Sequence, residues 1–137
     1  MFLLDTNVIS ELRQGKANQS PEVRRWAALQ ASSRLYLPAI AILELETGVL
    51  RLERRDPRQG AQLRIWLNGV RAAFEGRILP FTDKTAVLCA LLYVPDPQSE
   101  RDAMIAAMAI EHSFNVVTRN VDDFKATGAG LLNPWSA

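Results

Sequence analysis

The side chains that could do chemistry here are carboxylates beside apolar runs. Asp5 directly follows Phe2-Leu3-Leu4, and Glu44 sits among Ile40, Ile42, Leu43 and Leu45. Asp102 leads into Ala103-Met104-Ile105-Ala106-Ala107, and Asn120, with Asp122 and Asp123 close behind, follows Val116-Val117-Thr118-Arg119. A carboxylate beside a core segment is costly to bury unless something pairs with its charge. No lysine, arginine or histidine has an obvious pairing role for all of them. A divalent cation would supply it. Oxygen-only donors favour the hard cations magnesium, manganese or calcium, whereas zinc would want histidine or cysteine. His112 and Cys89 are the only such residues and are wrongly placed for a zinc site. Each acid alone also has a plainer reading: Asp5 as a helix cap, Asp102 as a first-turn carboxylate favoured by the helix dipole, Glu44 or Glu46 on a solvated face.

The elements that must position these groups follow from punctuation and periodicity. Phe2-Leu3-Leu4 reads as a buried strand ending at Asp5. Thr6 or Asn7 can cap a helix over Val8 to Arg13, and Ser20-Pro21 starts another in which Trp26 faces the core. Leu35-Tyr36-Leu37, closed by Pro38, is a second strand. Helical periodicity runs from Ile40 to about Arg55 and stops at Asp56-Pro57, since the residue before proline leaves helical geometry. Leu63, Trp66, Leu67 and Val70 mark the apolar stripe of the next helix. Ile78 to Phe81 reads as a third strand, and Thr82 or Asp83 caps a helix from Lys84 to Tyr93. Ser99 caps a helix from Glu100 to His112, Asn115 to Thr118 is a fourth strand, Asp122 to Ala126 a short helix, and Leu131-Leu132 a last strand. Strands alternating with helices predict βαβ units, hence a parallel sheet covered on both faces. Ligands of such sheets bind at the C-terminal ends of strands, where Asp5 and the segment after Thr118 fall.

Length and composition bound the rest. The 137 residues make one domain, with 48 % hydrophobic and 23 % charged residues, the balance of a globular chain. Cys89 is the only cysteine, so no intrachain disulfide forms; it reads as a core residue and the chain as intracellular. The N-terminus has no basic leader, and no run approaches the ~18 apolar residues of a membrane span, which predicts a cytoplasmic protein. A net charge of +1 does not by itself point to nucleic acid. Any such affinity needs a local patch. Arg51, Arg54, Arg55 and Arg58 are candidates, read otherwise as a helix end offset by Glu53 and Asp56.

Several of these segments resemble a known family in order and spacing. Leu4-Asp5-Thr6-Asn7-Val8-Ile9-Ser10-Glu11 resembles the opening motif of PIN-domain toxins of the VapC and FitB type. Glu44-x-x-x-Gly48 is similar to their second motif, and Asp102 to Ala107 to their third. Val117-Thr118-Arg119-Asn120, Asp123-Phe124 and Asn133-Pro134-Trp135 resemble the closing block. The resemblance implies a three-layer α/β/α sandwich with a short, mostly parallel central sheet. It also implies a magnesium-dependent (or manganese-dependent) endoribonuclease, the toxin of a toxin–antitoxin pair. Asp5, Glu44 and Asp102 would hold the metal, Thr6 or Asn7 and Thr118 would orient these carboxylates or contact phosphate, and RNA would be the substrate. A cognate antitoxin protein and a homodimer are the partners it implies, with Trp66 and Trp135 as surface candidates if not core. The family's fourth acid commonly follows Thr-Arg directly. Here that position is Asn120, so Asn120, Asp122 or Asp123 would fill the role. A haloacid-dehalogenase-like phosphatase would need Asp-x-Asp after the first strand, and Asn7 excludes that pair. A PIN-like module that binds RNA or a protein without cutting is the remaining alternative.

Overall fold

In the computed structural model, which describes residues 1–136, five short strands alternate with seven helices. The strands are β1 (Phe2–Leu4), β2 (Leu35–Pro38), β3 (Ile78–Leu79), β4 (Asn115–Val117) and β5 (Leu131–Leu132). They form one sheet in the order β3-β2-β1-β4-β5, and every neighbouring pair is parallel. The chain winds outward from β1 through β2 to β3, then returns to the other side of β1 for β4 and β5. The direction of winding therefore reverses between β1 and β4, and a crevice opens there beyond the strands' C-terminal ends.

Alternation along the strands splits the core into two layers. Leu4, Leu35, Leu37 and Val117 face α1 (Thr6–Glu11), α2 (Pro21–Ala28), α3 (Ala39–Arg55) and α4 (Pro57–Ala73). Leu3 and Val116 face the opposite layer, with Ile105, Met108 and Ala109 of α6 (Glu100–His112) and Phe124 of α7 (Val121–Phe124). α5 (Asp83–Leu92) packs outside α6 through Cys89, Ala103 and Ala107. Cys89 is thus a core residue, and Trp26 is buried edge-on against Phe2.

Several helix starts differ from the sequence expectation in an instructive way. α1 begins at Thr6, and its cap is Asp5 rather than Thr6 or Asn7: the Asp5 carbonyl accepts from the Val8 and Ile9 amides. Ser20 does cap α2 through Val23, and Thr82 caps α5 in a reciprocal pair with Thr85. Ser99 occupies the N-cap position of α6 but its side chain makes no capping bond to the helix amides. β3 stops at Leu79, two residues short of Phe81, because Pro80 has no amide to donate to a ladder.

Asp56 both ends α3 and caps α4, its carboxylate accepting from the Gln59 amide. The two helices pack closely because Gly60 is buried where any side chain would strike the Glu53 backbone. Arg64 ties them further, donating to both oxygens of Glu46 at 2.6 and 2.7 Å and to Glu53 at 3.1 Å. Glu53 and Asp56 are therefore committed elsewhere and do not offset Arg51, Arg54, Arg55 and Arg58. All four are exposed, and none has a salt-bridge partner among the described residues. Gly48 is the opposite case to Gly60. It lies in the middle of α3 with nothing within 4 Å of where a Cβ would sit. A mid-helix glycine costs about 1 kcal/mol relative to alanine, and no contact within the fold requires it.

Candidate active site

The crevice at the β1/β4 switch point holds a polar pocket of about 280 Å³ lined by Asp5, Thr6, Asn7, Glu44, Asp102 and Asn120. Four elements deliver these groups: the end of β1, the second turn of α3, the first turn of α6, and the turn after β4.

Asp5 is the most enclosed, 7 % exposed, and its carboxylate is held in a fixed orientation. One oxygen accepts from the Thr6 amide at 2.8 Å, the other from the Thr118 hydroxyl at 2.8 Å and the Asn7 amide group at 3.3 Å. Thr118, fully buried, accepts in turn from the Asn120 amide at 3.0 Å, and the Asn7 carbonyl oxygen accepts from the Arg119 amide at 3.2 Å. Asn7 thus ties the loop after β1 to the loop after β4. Glu44 is fixed less tightly. The Thr6 hydroxyl donates to it at 3.1 Å, and the Arg101 guanidinium, half exposed, stands 3.7 Å away.

Electrostatics show the strain of the grouping. Burial pushes the Asp5 carboxyl above its ordinary value, against the pull of the Thr118 and Thr6 hydrogen bonds, and the charges of Glu44 and Asp123 add to the rise. Asp102 is raised for the same reasons, first by burial and then by the neighbouring charges of Asp5 and Asp123. Each group would release its proton more readily if a cation stood among them. Asp122, by contrast, points outward, 83 % exposed, and is paired with Lys125 at 2.6 Å. Of the three candidates for the fourth position, Asn120 lines the pocket and Asp123 acts on it through its charge, while Asp122 belongs to the surface.

The donor set suits a hard cation: three carboxylates and an amide, all oxygen. It is open rather than closed, for no three histidine, cysteine or acidic side chains among the described residues are gathered tightly enough to enclose an ion. Magnesium needs no such cage, since it keeps several waters and takes only one or two carboxylates together with substrate phosphate.

Arg101 is the site residue that the sequence did not reveal. A helix-start arginine next to Asp102 looks solvated, and only the approach of α3 to α6 puts it beside Glu44. His112 is exposed, stacked at 5.6 Å beside Phe114. Among the described residues, no helix is long and apolar enough to cross a membrane.

The chain is similar to known proteins in sequence and fold. The chain is 38 % identical to the VapC ribonuclease Y4jK of Sinorhizobium fredii, covering 98 % of both, and 35 % identical to the toxin FitB of Neisseria gonorrhoeae, covering 98 % of this chain and 99 % of that one. The crystal structure of FitAcB from Neisseria gonorrhoeae matches it with a TM-score of 0.90 at 34 % identity over the full length of both chains. The family model of the PIN domain matches residues 2–130, from the strand that carries Asp5 to the edge of β5. With the all-parallel sheet and the carboxylates at its switch point, this places the chain in the PIN-domain family.

Proposed function

We propose that the chain is a magnesium-dependent endoribonuclease (manganese being an alternative ion) and the toxin of a toxin–antitoxin pair. The observation that carries this reading is the convergence of Asp5, Glu44, Asp102 and Asn120 in one pocket, with the half-exposed Arg101, among the described residues, as the only cation paired with any of them. The names of the relatives, a ribonuclease and a toxin, support it.

Asp5, Glu44 and Asp102 would hold the ion, one or two of them directly and the rest through its waters, with Asn120 completing the polar wall. A bound magnesium ion supplies an acidified water and neutralises charge developing on a phosphodiester. The chain does the rest. Thr118 and Asn7 hold Asp5 against rotation, and Thr6 positions Glu44 from the same turn that carries Asp5. Burial of Asp5 keeps bulk water from competing for its oxygens. Such preorganisation is what allows a site to stabilise developing charge without first rearranging.

A toxin acting on RNA inside its own cell needs a partner that blocks it, so a cognate antitoxin protein is part of the proposal. A homodimer is proposed as well. Its surface would be the exposed apolar side chains Val87 and Leu91 on α5 and Val94 just beyond it rather than Trp66 and Trp135, which pack against the core.

The test is cleavage of a mixed RNA pool by the purified protein with magnesium, manganese or EDTA, beside Asp5→Asn and Asp102→Ala. Metal-dependent cleavage lost in both variants is the expected result. A folded wild type that binds RNA but never cuts it would instead favour the binding-only module.

A further inference from the structure

The polar pocket does not end at Glu44. A groove of about 380 Å³ shares Thr6 and Glu44 with it and continues between α1, α3 and α4. Along its floor, Glu44, Gly48, Leu52 and Arg55 recur once per helical turn on one face of α3. At 1.5 Å per residue, Arg55 lies about 16 Å from Glu44 along that helix. Arg13 stands on the rim, and half-buried Trp66 forms part of the wall. Neither Arg13 nor Arg55 has a salt-bridge partner among the described residues. The groove is therefore acidic at one end and cationic along its length.

Gly48 is the second observation. It costs helix stability and serves no contact in the fold, and it leaves the groove floor bare one turn from Glu44. Glycine at such a point permits close approach of something that is not part of the chain. A polyanion with flat bases meets the chemistry on offer: guanidinium groups for phosphates, and the ring of Trp66 with neighbouring leucines for a base.

We propose that this groove holds the single-stranded RNA flanking the cleavage point, with Arg13 and Arg55 on its phosphates and Gly48 left bare for the strand to pass. The proposal rests on the nuclease reading and extends it from the reacting phosphate to the length of strand recognised.

The experiment compares Gly48→Leu and Arg55→Ala with wild type and with Arg71→Ala, an exposed arginine on α4 outside the groove. Binding of a fluorescent single-stranded RNA is read by anisotropy in the Asp5→Asn background. Hydrolysis of that RNA and of a small nitrophenyl phosphodiester is read in the active protein. Gly48→Leu is expected to melt no lower than wild type, to weaken RNA binding about 10-fold or more, and to raise KM for RNA while leaving hydrolysis of the small diester unchanged. Arg55→Ala is expected to lower the slope of log affinity against log salt by about 0.7, the share of one contact to a single-stranded phosphate. Arg71→Ala should change neither. RNA binding and KM unchanged in Gly48→Leu would overturn the proposal. So would loss of antitoxin binding alone, which would make the groove a protein-docking surface. A wild type that hydrolyses neither substrate would refute the nuclease reading, while groove-dependent anisotropy would still uphold the RNA track.

Discussion

Replacing Asp5 by asparagine keeps the shape of the most buried group in the site and removes its charge. In the metal-free protein that charge is a liability. Asp5 is buried, its carboxyl is raised above the ordinary value, and Glu44 and Asp123 repel it. Its hydrogen bonds from Thr6, Thr118 and Asn7 recover part of the desolvation cost, so the residual penalty belongs at the low end of the range for buried polar groups, about 1 kcal/mol. Asp5→Asn turns its NH2 group on one of those donors, a cost that is the same at every pH, so relative to wild type it should gain ~1 kcal/mol between pH 4 and pH 7 in the metal-free protein, which is about 3–5 °C in Tm for a chain of this size. The pH dependence has a definite sign. Because the folded carboxyl binds its proton more tightly than the unfolded one, wild-type stability falls as pH rises from the unfolded value of 3.8 through the raised folded value. The advantage of Asp5→Asn is accordingly absent below about pH 4 and fully present once Asp5 has ionised in the folded state. Magnesium should offset that gain. For a millimolar site, 10 mM ion stabilises wild type by about 1.4 kcal/mol, and Asp5→Asn gains little. Thermal unfolding from pH 4 to 8, with and without magnesium, reads all of this. A metal-free Asp5→Asn protein that gains nothing on wild type between pH 4 and pH 7, or that gains as much from magnesium, would refute the reasoning.

Other expectations follow from the same geometry. Asn7→Ala, which cuts the tie between Asp5, Thr118 and Arg119, should lower RNA cleavage ~10–100-fold and move the magnesium midpoint upward; an unchanged midpoint would make Asn7 purely structural. Arg101→Ala removes the cation beside Glu44 and should tighten magnesium binding at low salt while changing stability by less than about 1 kcal/mol, read by calorimetry and melting. Leu67→Ala empties a fully buried position between α4 and the sheet and should cost ~2–5 kcal/mol in chemical denaturation. Gly48→Ala should raise Tm by about 3–5 °C, as expected for restoring about 1 kcal/mol of helix propensity.

Much of the order along the chain was legible because local physics sets it. Three apolar residues stopping at Asp5, serine before proline at α2, and aspartate before proline between α3 and α4 are decided within a few residues. The sequence also placed Asp5, Glu44, Asp102 and Asn120 next to core segments, which sufficed to suspect one acidic centre. It could not decide which of Asp122 and Asp123 faces that centre. The two are exposed neighbours in one short helix, and only its docking through buried Phe124 brings the charge of Asp123 within reach of Asp5 and Asp102 and leaves Asp122 paired with Lys125. The sequence allowed Asp5 as a helix cap, but it could not show that Asn7 joins two loops more than a hundred residues apart, or that Arg101 reaches Glu44. The groove past Gly48 was hidden for the same reason, since it exists only where α1, α3 and α4 meet. Spacing along the chain determines what each residue can do locally; which charges share a pocket depends on long-range packing, and that the tertiary structure alone decided.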